Sequence, residues 1–338
     1  MKKYKALLAG AGSMGRAWAR NLAACDRAVL AGWVDWRPEA AEQAVVELGL
    51  SAVETFQDIE AGLAAVKPDF VVDVTSPESH HAITLASLAA GIPVLGEKPM
   101  AISMEQAREM VAASERSGKL YMVSQSRRYD PRIRAFRKLV AKHVGPPGIL
   151  NSDFYIGAHF GGFRDEMDSP LLLDMAIHTF DAARFISDCD PVAVYCDEFN
   201  PSWSWYAGNA CATAVFEMTG GLRYTYRGSW CSEGLHTAWE AEWRAVGPRG
   251  TAAWDGAEGV RAEAVMAPGG FFSEFRKLEP ENEEPVKPGI EGSLEEFLNA
   301  LETGATPLGE CHDNIKSLAM VFGAIESAAR RQRVEIGL

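Results

Sequence analysis

The chain has 338 residues, of which 47% are hydrophobic and 23% charged, and this length predicts two globular domains rather than one. Its 46 acidic side chains exceed its 33 basic ones, so the formal net charge of −13 disfavours DNA and anionic membrane surfaces as partners. We therefore expect a small-molecule ligand. The sequence contains no run of about 18 apolar residues, so we expect no membrane-spanning helix.

The short apolar run within Met1–Gly10 and the cysteines together indicate the cellular compartment. The apolar run is too short for a signal peptide and leads directly into a glycine motif. The six cysteines form no Cys-x-x-Cys pair, and a chain of this size folds without disulfide bonds. We expect reduced, mostly buried thiols, no metal site and a cytoplasmic location.

Short β-branched runs alternate with helical patterns from residue 4 to about residue 124. The predicted strands are Tyr4–Ala9, Val29–Asp35, Phe70–Thr75, Ile92–Gly96 and Leu120–Gln125, and the predicted helices are Met14–Ala24, Pro38–Glu47, Ser79–Ala90 and Met104–Ser117. This alternation predicts an α/β domain with a doubly wound parallel sheet that helices cover on both faces. We place this domain at residues 1–125.

The pattern changes after residue 125, and residues 126–338 predict an α+β domain. A helix that begins at Pro131 ends at Gly145-Pro146-Pro147-Gly148. Aromatic-rich alternating runs predict an open, mostly antiparallel sheet with strands at Leu150–Ile156, Ala210–Met218, Leu222–Trp230 and Trp239–Val246. The remaining predicted elements are an apolar helix at Pro170–Ile186, a polar loop at Glu279–Gly292, and two closing helices at Ser293–Glu302 and Asp313–Arg330.

A glycine motif, Gly10-Ala11-Gly12-Ser13-Met14-Gly15, follows the first predicted strand and opens the first predicted helix. Its first glycine permits the tight turn, its second lets the backbone approach a pyrophosphate, and its third lets the helix pack closely on the strand. The helix N-terminus supplies amide donors. Asp35 stands twenty residues beyond Gly15, at a strand end from which a carboxylate reaches the adenosine ribose. Together these features predict a dinucleotide site rather than a structural turn.

The residues around Asp35 bear on the choice of cofactor. A carboxylate at this position repels the 2′-phosphate of NADP and therefore favours NAD. Arg37 keeps NADP as an alternative because its guanidinium can pair with that phosphate, although a solvated Arg37 fits the sequence equally well.

Gly96-Glu97-Lys98-Pro99 ends a predicted strand and places Lys98 at the carboxyl edge of the sheet, over the ligand cleft. A lysine at this edge suits hydrogen bonding to an alcohol or alkoxide. A solvated lysine that pairs with Glu97 explains the same spacing equally well.

Asp174 and His178 are four residues apart on the predicted apolar helix, so they share one face, which Asp181 continues. A carboxylate beside an imidazole orients the ring and raises its basicity, as the oxidation of an alcohol requires. The alternative is a polar pair that satisfies itself at a domain boundary, but the dinucleotide domain favours a catalytic pair.

These features together resemble the glucose–fructose oxidoreductase/inositol dehydrogenase (Gfo/Idh/MocA) family over nearly the whole chain. The resemblance rests on Gly10–Gly15, Asp35, Val74-Thr75-Ser76-Pro77 followed by His80, Glu97-Lys98-Pro99, Arg127-Arg128-Tyr129-Asp130-Pro131, and the spacing Asp174-x-x-x-His178-x-x-Asp181. It implies a Rossmann domain followed by an open antiparallel-sheet domain, assembly as a homodimer or homotetramer, and sugars, cyclitols or related polyols as substrates.

The resemblance also implies the members of the site. The catalytic residues are Lys98, Asp174 and His178, with Asp174 orienting the histidine. The expected cofactor-binding residues are Gly10, Gly12, Ser13, Met14, Gly15, Asp35, Trp36, Arg37, Thr75, Ser76, Pro77, His80, Glu97 and Lys98. The expected substrate-binding residues are Lys98, Arg128, Tyr155, Arg164, Asp174 and His178.

The favoured activity is the reversible oxidation of a secondary alcohol, in which His178 removes the hydroxyl proton, Lys98 steadies the alkoxide and a hydride passes to C4 of the nicotinamide. One alternative is an NAD-assisted glycosidase, which shows no net production of NADH. Another is a non-catalytic NAD-binding regulator of the same fold. The intact set of three proton-transfer residues argues against a regulator.

Overall fold

The computed structural model describes residues 3–267, 269–281 and 286–338. The chain divides into two compact units, of which the first comprises Met1–Ser126 and Gly289–Ile315 and the second Arg127–Pro288 and Lys316–Leu338. The chain thus returns to the first unit at Gly289–Ile315. A single division at residue 125 places this segment in the second domain instead.

A six-stranded parallel sheet forms the centre of the first unit, in the order β3-β2-β1-β4-β5-β6. Its strands are β1 (Tyr4–Ala9), β2 (Ala28–Val34), β3 (Glu54–Phe56), β4 (Phe70–Asp73), β5 (Val94–Gly96) and β6 (Tyr121–Val123). This confirms the predicted doubly wound sheet. The strand order reverses between β1 and β4, which leaves a crevice at the carboxyl ends of these two strands where such sheets bind ligands.

Five helices connect these strands: α1 (Ser13–Ala24), α2 (Pro38–Glu47), α3 (Ile59–Val66), α4 (Pro77–Ala89) and α5 (Met104–Ser117). Local capping fixes two of their starts, since the side chains of Asp58 and Ser103 accept hydrogen bonds from the backbone of the first turns of α3 and α5. The sequence analysis did not predict β3 and α3. Both are short, so neither carries a long periodic pattern.

The returning segment adds helix α8 (Gly289–Thr303) to the first unit. The ring of Phe297 lies 5.4 Å from that of Phe70 on β4, and the side-chain amide of Asn21 donates to the carbonyl of Ile290. Apolar packing against the sheet therefore explains why this segment groups with a unit far from it in sequence.

The predicted loop at Glu279–Gly292 is too long at its C-terminal end, because α8 already begins at Gly289. Residues 282–285 of that loop lie outside the described residues.

The second unit contains a nine-stranded sheet in the order β14-β13-β12-β11-β7-β10-β9-β8-β15. Its strands are β7 (Ile149–Tyr155), β8 (Pro191–Phe199), β9 (Cys211–Met218), β10 (Arg223–Ser229), β11 (Glu242–Gly247), β12 (Gly250–Trp254), β13 (Val260–Ala267), β14 (Glu274–Leu278) and β15 (Val334–Glu335). The expectation of a mostly antiparallel sheet is confirmed. The pair β7 and β10 is parallel, in register from Ile149 opposite Arg223 to Tyr155 opposite Ser229.

Helices cover one face of this second sheet. Helix α6 (Pro131–Leu139) continues into a π-helical turn, Val140–Val144, and a second π-helical segment, Leu171–Ala176, leads into α7 (Ile177–Ser187). The ring of Phe180 on α7 packs edge-on against Phe216 at 4.8 Å and Tyr226 at 5.2 Å. The predicted helix at Pro170–Ile186 therefore has two parts, and π-helical turns occur frequently at functional sites.

The last helix, α9 (Cys311–Arg330), begins in the first unit and ends in the second. Within the described ranges, no helix has the combination of length and apolar character that crossing a membrane requires.

Candidate functional site

The glycine loop lies between β1 and α1, at the crevice of the first sheet. Gly10 has φ = +101°, and a Cβ atom there would lie 2.5 Å from the carbonyl oxygen of Val74. A Cβ atom on Gly15 would lie 2.0 Å from the carbonyl oxygen of Gly10. Around Gly12, by contrast, no described atom lies within 4 Å of the Cβ position. The first and third glycines are therefore required by close packing, whereas the backbone of Gly12 is open to a ligand.

The start of α1 suits an anionic ligand. Ser13 is its first residue, Met14 is 45% exposed, and the first turn contains no acidic side chain. The amides of this turn and the helix dipole therefore supply donors and positive potential that no neighbouring carboxylate on the helix offsets.

Asp35 follows β2 and is buried. Its carboxylate accepts hydrogen bonds from the backbone N–H of Ala11 at 2.7 Å and from the N–H and Nε of Arg37 at 3.0 and 3.1 Å. Burial alone would raise the pKa of Asp35, but these donors outweigh it and lower the pKa. Asp35 is therefore ionised at neutral pH.

Arg37 and Trp36 extend this corner of the first unit. The guanidinium of Arg37 pairs with Asp35 and lies 5.5 Å from the centre of the Trp36 ring, which is 79% exposed. Arg37 is thus paired with the carboxylate while its side chain stays 44% exposed, and its contact with a 2′-phosphate stays a prediction.

The turn after β4 is organised by Asp73, which the sequence analysis did not single out. Asp73 is fully buried and accepts hydrogen bonds from the backbone N–H and the hydroxyl of Thr75 at 3.1 and 2.7 Å. Its other carboxylate oxygen lies 3.0 Å from Nδ1 of His80. The signal for Asp73 in the sequence is an acidic residue that ends an otherwise apolar strand.

His80 is almost completely buried in this turn. Burial would lower the pKa of its imidazole, but the Asp73 carboxylate outweighs burial and raises the pKa. Ser76 and Pro77, which lie between Thr75 and His80 in the sequence, form the start of α4. His80 therefore holds the loop that contains Thr75, and its direct contact with a cofactor stays a prediction.

Lys98 follows β5 at the same edge of the sheet. The Glu97 side chain beside it accepts from Nε1 of Trp18 at 2.8 Å and from the backbone N–H of Lys98 at 3.1 Å. Burial raises the pKa of Glu97, although Trp18 and the charge of Lys98 oppose it. The Lys98–Pro99 peptide is cis. Lys98 itself is partly exposed.

In the second unit, Asp174 lies within the π-helical segment. Its Oδ2 accepts a hydrogen bond from Nε of Arg164 at 2.5 Å. The Arg164 guanidinium also lies over two aromatic rings, 5.1 Å from the centre of Phe160 and 4.7 Å from that of Phe163. Two predicted site residues that are ten positions apart are thus brought together, and the contact is one that the sequence analysis did not foresee.

His178 is the second residue of α7. Its side chain is partly exposed, whereas its neighbours Ile177 and Thr179 are buried. Lys98 belongs to the first unit and His178 to the second, so their convergence on one substrate stays a prediction.

Arg128 occupies a different environment from Arg164. It is only 4% exposed, and its Nε and one terminal nitrogen donate to both carboxylate oxygens of Asp181, at 2.8 and 2.6 Å. The hydroxyl of Ser317 on α9 donates to the same carboxylate at 2.7 Å. These contacts tie the turn before α6 to α7 and α9 and give Arg128 a structural role within the second unit. Its contact with a substrate stays a prediction.

Tyr155 ends β7 and is held by its backbone, since its N–H donates to the hydroxyl of Thr237 and its carbonyl accepts from the Thr237 N–H, both at 3.0 Å. Its side chain is partly exposed, and burial together with the charge of Asp153 raises the pKa of its phenol. The side chain is therefore a neutral hydrogen-bonding group at neutral pH.

Two family models match the chain. A model described as an oxidoreductase family with an NAD-binding Rossmann fold matches residues 4–125, and the GFO/IDH/MocA C-terminal domain matches residues 104–253. Together these ranges include the glycine loop, Lys98, Asp174 and His178.

Relatives and solved structures agree with these matches. The 1,5-anhydro-D-fructose reductase of Ensifer adhaerens is 29% identical over 79% of this chain and 80% of its own length. The D-apiose dehydrogenase of Paraburkholderia graminis is 26% identical over 99% of this chain and 90% of its own. An oxidoreductase from Agrobacterium radiobacter, solved with NAD+, L-tartaric acid and magnesium, has the same fold, with a TM-score of 0.86 at 23% identity and 99% coverage of both chains. The chain belongs to the GFO/IDH/MocA family of NAD-binding oxidoreductases.

Proposed function

We propose that the protein is an NAD-dependent dehydrogenase that interconverts a secondary alcohol and a ketone on a sugar, cyclitol or related polyol. The observation that carries the cofactor assignment is the arrangement of Gly12 and Asp35 at neighbouring strand ends of one crevice. An open backbone at Gly12 fits a pyrophosphate, and an ionised carboxylate at Asp35 fits the ribose hydroxyls of NAD. The names of the reductase and dehydrogenase relatives support the substrate class.

The residues of the first unit would bind the cofactor and polarise the substrate. Bound NAD supplies a hydride acceptor at C4 of its nicotinamide ring. The amides at the start of α1 would hold the pyrophosphate, and Asp35 would accept hydrogen bonds from the adenosine ribose. Lys98, which follows β5 at the carboxyl edge of the sheet, would donate to the substrate oxygen as negative charge develops on it.

The residues of the second unit would move the proton. His178 would accept the hydroxyl proton during oxidation and return it during reduction. Asp174 would orient the imidazole, and Arg164 would fix Asp174 through the 2.5 Å contact between Nε and Oδ2. For this to work, Lys98 and His178 must reach the same substrate hydroxyl, because hydride and proton leave neighbouring atoms.

A substrate panel tests the proposal. We expect NAD reduction, read as the absorbance of the reduced nicotinamide, with at least one member of a panel of aldoses, inositols and sugar acids. A His178→Ala variant with unchanged thermal unfolding serves as the control and should lack this activity. If no panel member reduces either NAD or NADP, the proposed alcohol oxidation is wrong. Turnover of a glycoside without net NADH would favour the glycosidase instead.

A further inference from the structure

Three metal-ligating side chains meet at the start of α9, outside the residues of the proposed cofactor and substrate sites. Oε1 of Glu310 lies 2.8 Å from Nδ1 of His312 and 2.9 Å from Sγ of Cys311. The third side of the triangle, from Sγ of Cys311 to Nδ1 of His312, measures 3.6 Å. Within the described part of the chain, this is the one group of three His, Cys, Asp or Glu side chains whose ligand atoms lie this close together.

The triangle is close to the size that a tetrahedral metal ion requires. With metal–nitrogen and metal–oxygen bonds of about 2.0 Å and a metal–sulfur bond of about 2.3 Å, neighbouring ligand atoms stand about 3.3–3.6 Å apart. The distance between sulfur and nitrogen already fits. The two distances from Oε1 of Glu310 are shorter than this. The oxygen would move away from the thiol and the imidazole by about half an ångström to make room for the ion.

A second carboxylate orients the histidine for this role. Nε2 of His312 lies 3.0 Å from Oε1 of Glu115 on α5, which leaves Nδ1 to face the triangle. Histidines that bind metals almost always donate their other nitrogen to a carboxylate, carbonyl or water, which fixes the tautomer and strengthens the ligand. Hydrogen bonds from His312 to Glu115 and Glu310 raise the pKa of the imidazole, so protons compete with a metal at acidic pH.

Cys311 is completely buried, and burial raises the pKa of its thiol. Two features oppose that effect when a cation binds. Cys311 is the first residue of α9, where the helix dipole favours a thiolate, and a metal ion replaces the thiol proton directly. The negative charges of Glu310 and the thiolate also offset the repulsion between a cation and the helix N-terminus.

Capping of α9 does not use up the Glu310 carboxylate. Its Oε2 accepts a hydrogen bond from the backbone N–H of His312 at 3.0 Å, as the cap of a helix does, while Oε1 faces Cys311 and the imidazole. A cavity of about 370 Å³ adjoins the triangle, with Glu310 and His312 in its wall. The cavity provides an entry path and room for water as a fourth ligand.

We propose that Glu310, Cys311 and His312 bind a divalent transition-metal ion such as Zn²⁺, with water in the fourth position and Glu115 as the partner of the histidine. A mixed set of thiolate, imidazole and carboxylate matches ions of this class rather than Mg²⁺ or Ca²⁺. The sequence analysis predicted no metal site, because three adjacent ligand residues match none of the usual zinc spacings.

The experiment is a titration of the reduced, metal-free full-length protein with Co²⁺, read as thiolate-to-cobalt charge-transfer absorption and competed with Zn²⁺. We expect one equivalent to bind. His312 is half-exposed, so His312→Ala should fold normally and abolish the band, and Cys311→Ser should remove it as well. Glu115→Gln should weaken binding by about tenfold without removing the band.

Two matched variants control for other groups. His81→Ala removes a partly exposed histidine of the first unit whose Nε2 lies 2.6 Å from Oε2 of Glu109. Cys211→Ser removes one of two thiols whose sulfur atoms lie 3.7 Å apart in the second unit. Both variants should bind Co²⁺ as the wild type does. The proposal is overturned if the wild type shows no band, if the band survives in His312→Ala or Cys311→Ser, or if Cys211→Ser removes it. Dehydrogenase activity is not part of this readout, so the result is independent of the proposed function.

Discussion

Nε of Arg164 lies 2.5 Å from Oδ2 of Asp174, and the same guanidinium lies over the rings of Phe160 and Phe163. The carboxylate that we expect to orient His178 is therefore itself held by an arginine with three restraining contacts. Because an adjacent guanidinium stabilises the ionised form of a carboxylate, Arg164 would control both the charge and the position of Asp174.

Replacing Arg164 tests this relationship. In Arg164→Ala, we expect kcat/KM to fall by roughly tenfold and the pH profile of kcat to shift, because a charge-assisted hydrogen bond to Asp174 is lost. Arg164→Lys should restore only part of the activity, since an ammonium can neither reproduce the planar donor nor stack on the two rings in the same way. Steady-state kinetics between pH 6 and 10 measure both effects, and a profile identical to that of the wild type would remove Arg164 from the proton-transfer machinery.

Arg128 should behave in the opposite way. Its buried guanidinium is paired with Asp181, so Arg128→Ala leaves a buried carboxylate without that partner and should lower the free energy of unfolding by about 3–5 kcal/mol. The partly exposed Arg164 should contribute about 1 kcal/mol or less. Urea unfolding of the two variants side by side measures the difference. Equal stabilities, together with a raised KM in Arg128→Ala, would favour the predicted substrate contact over the structural role.

We expect the preference between NAD and NADP to depend on the Asp35–Arg37 pair. Asp35→Ser removes the carboxylate that repels a 2′-phosphate and releases the Arg37 guanidinium that now pairs with it at 3.1 Å. We expect the ratio of kcat/KM for NADP over NAD to rise by about tenfold or more. The double variant Asp35→Ser/Arg37→Ala is the control and should lose most of that gain. A wild-type protein that already binds NADP at least as tightly as NAD would contradict the assignment.

Elements with strong local signals could be predicted from the sequence, whereas pairings between distant residues could not. The bounds of β1, α2 and α5 agree with the prediction because glycines, prolines and caps mark their ends. The parallel pairing of β7 with β10 and the return of α8 to the first sheet depend on contacts between segments far apart in the chain, which periodicity does not encode.

The site shows the same limit at the level of single residues. Arg128 and Arg164 are equivalent as sequence signals, and only their partners separate them. Arg128 is buried and pairs with Asp181, which is 53 positions away in the sequence. Arg164 is partly exposed and pairs with Asp174. The sequence analysis missed Asp73 because this residue belongs to no motif. Its importance comes from the buried turn that it organises.

The stability of the protein should depend on pH through Glu198 on β8. Burial raises the pKa of this carboxyl to about 7, against hydrogen bonds from Ser169 and Asn209 that lower it. The folded state therefore holds the proton more tightly than the unfolded state, in which the pKa is ordinary. The associated stability is fully present below the unfolded pKa and is lost as pH rises through 7.

Glu198→Gln isolates this contribution. Between pH 5 and 8, the wild type should lose roughly 1–2 kcal/mol more unfolding free energy than the variant, with allowance for the partial exposure of the side chain. Urea unfolding at the two pH values measures the loss. Asp197→Asn, which removes the exposed carboxylate next to it on the same strand, should follow the wild type. A wild type and Glu198→Gln that respond to pH in parallel would show that Glu198 does not titrate differently in the folded state.

The pH dependence of alcohol oxidation should identify His178 as the base. An imidazole loses its proton near neutral pH, so the rate of oxidation should rise with pH over that range, because only the neutral ring can accept the hydroxyl proton. In His178→Ala this rise of the rate with pH should disappear, and kcat should fall by about 10²–10⁴-fold. The KM for NAD should stay within a fewfold of the wild type, because the proposed cofactor-binding residues lie in the first unit. Lys98→Met should also lower kcat, but the rise of the rate with pH should remain, since in the proposed mechanism the lysine stabilises charge and does not accept the proton. The comparison separates the two roles, and a His178→Ala enzyme that keeps the wild-type profile would mean that another group removes the proton.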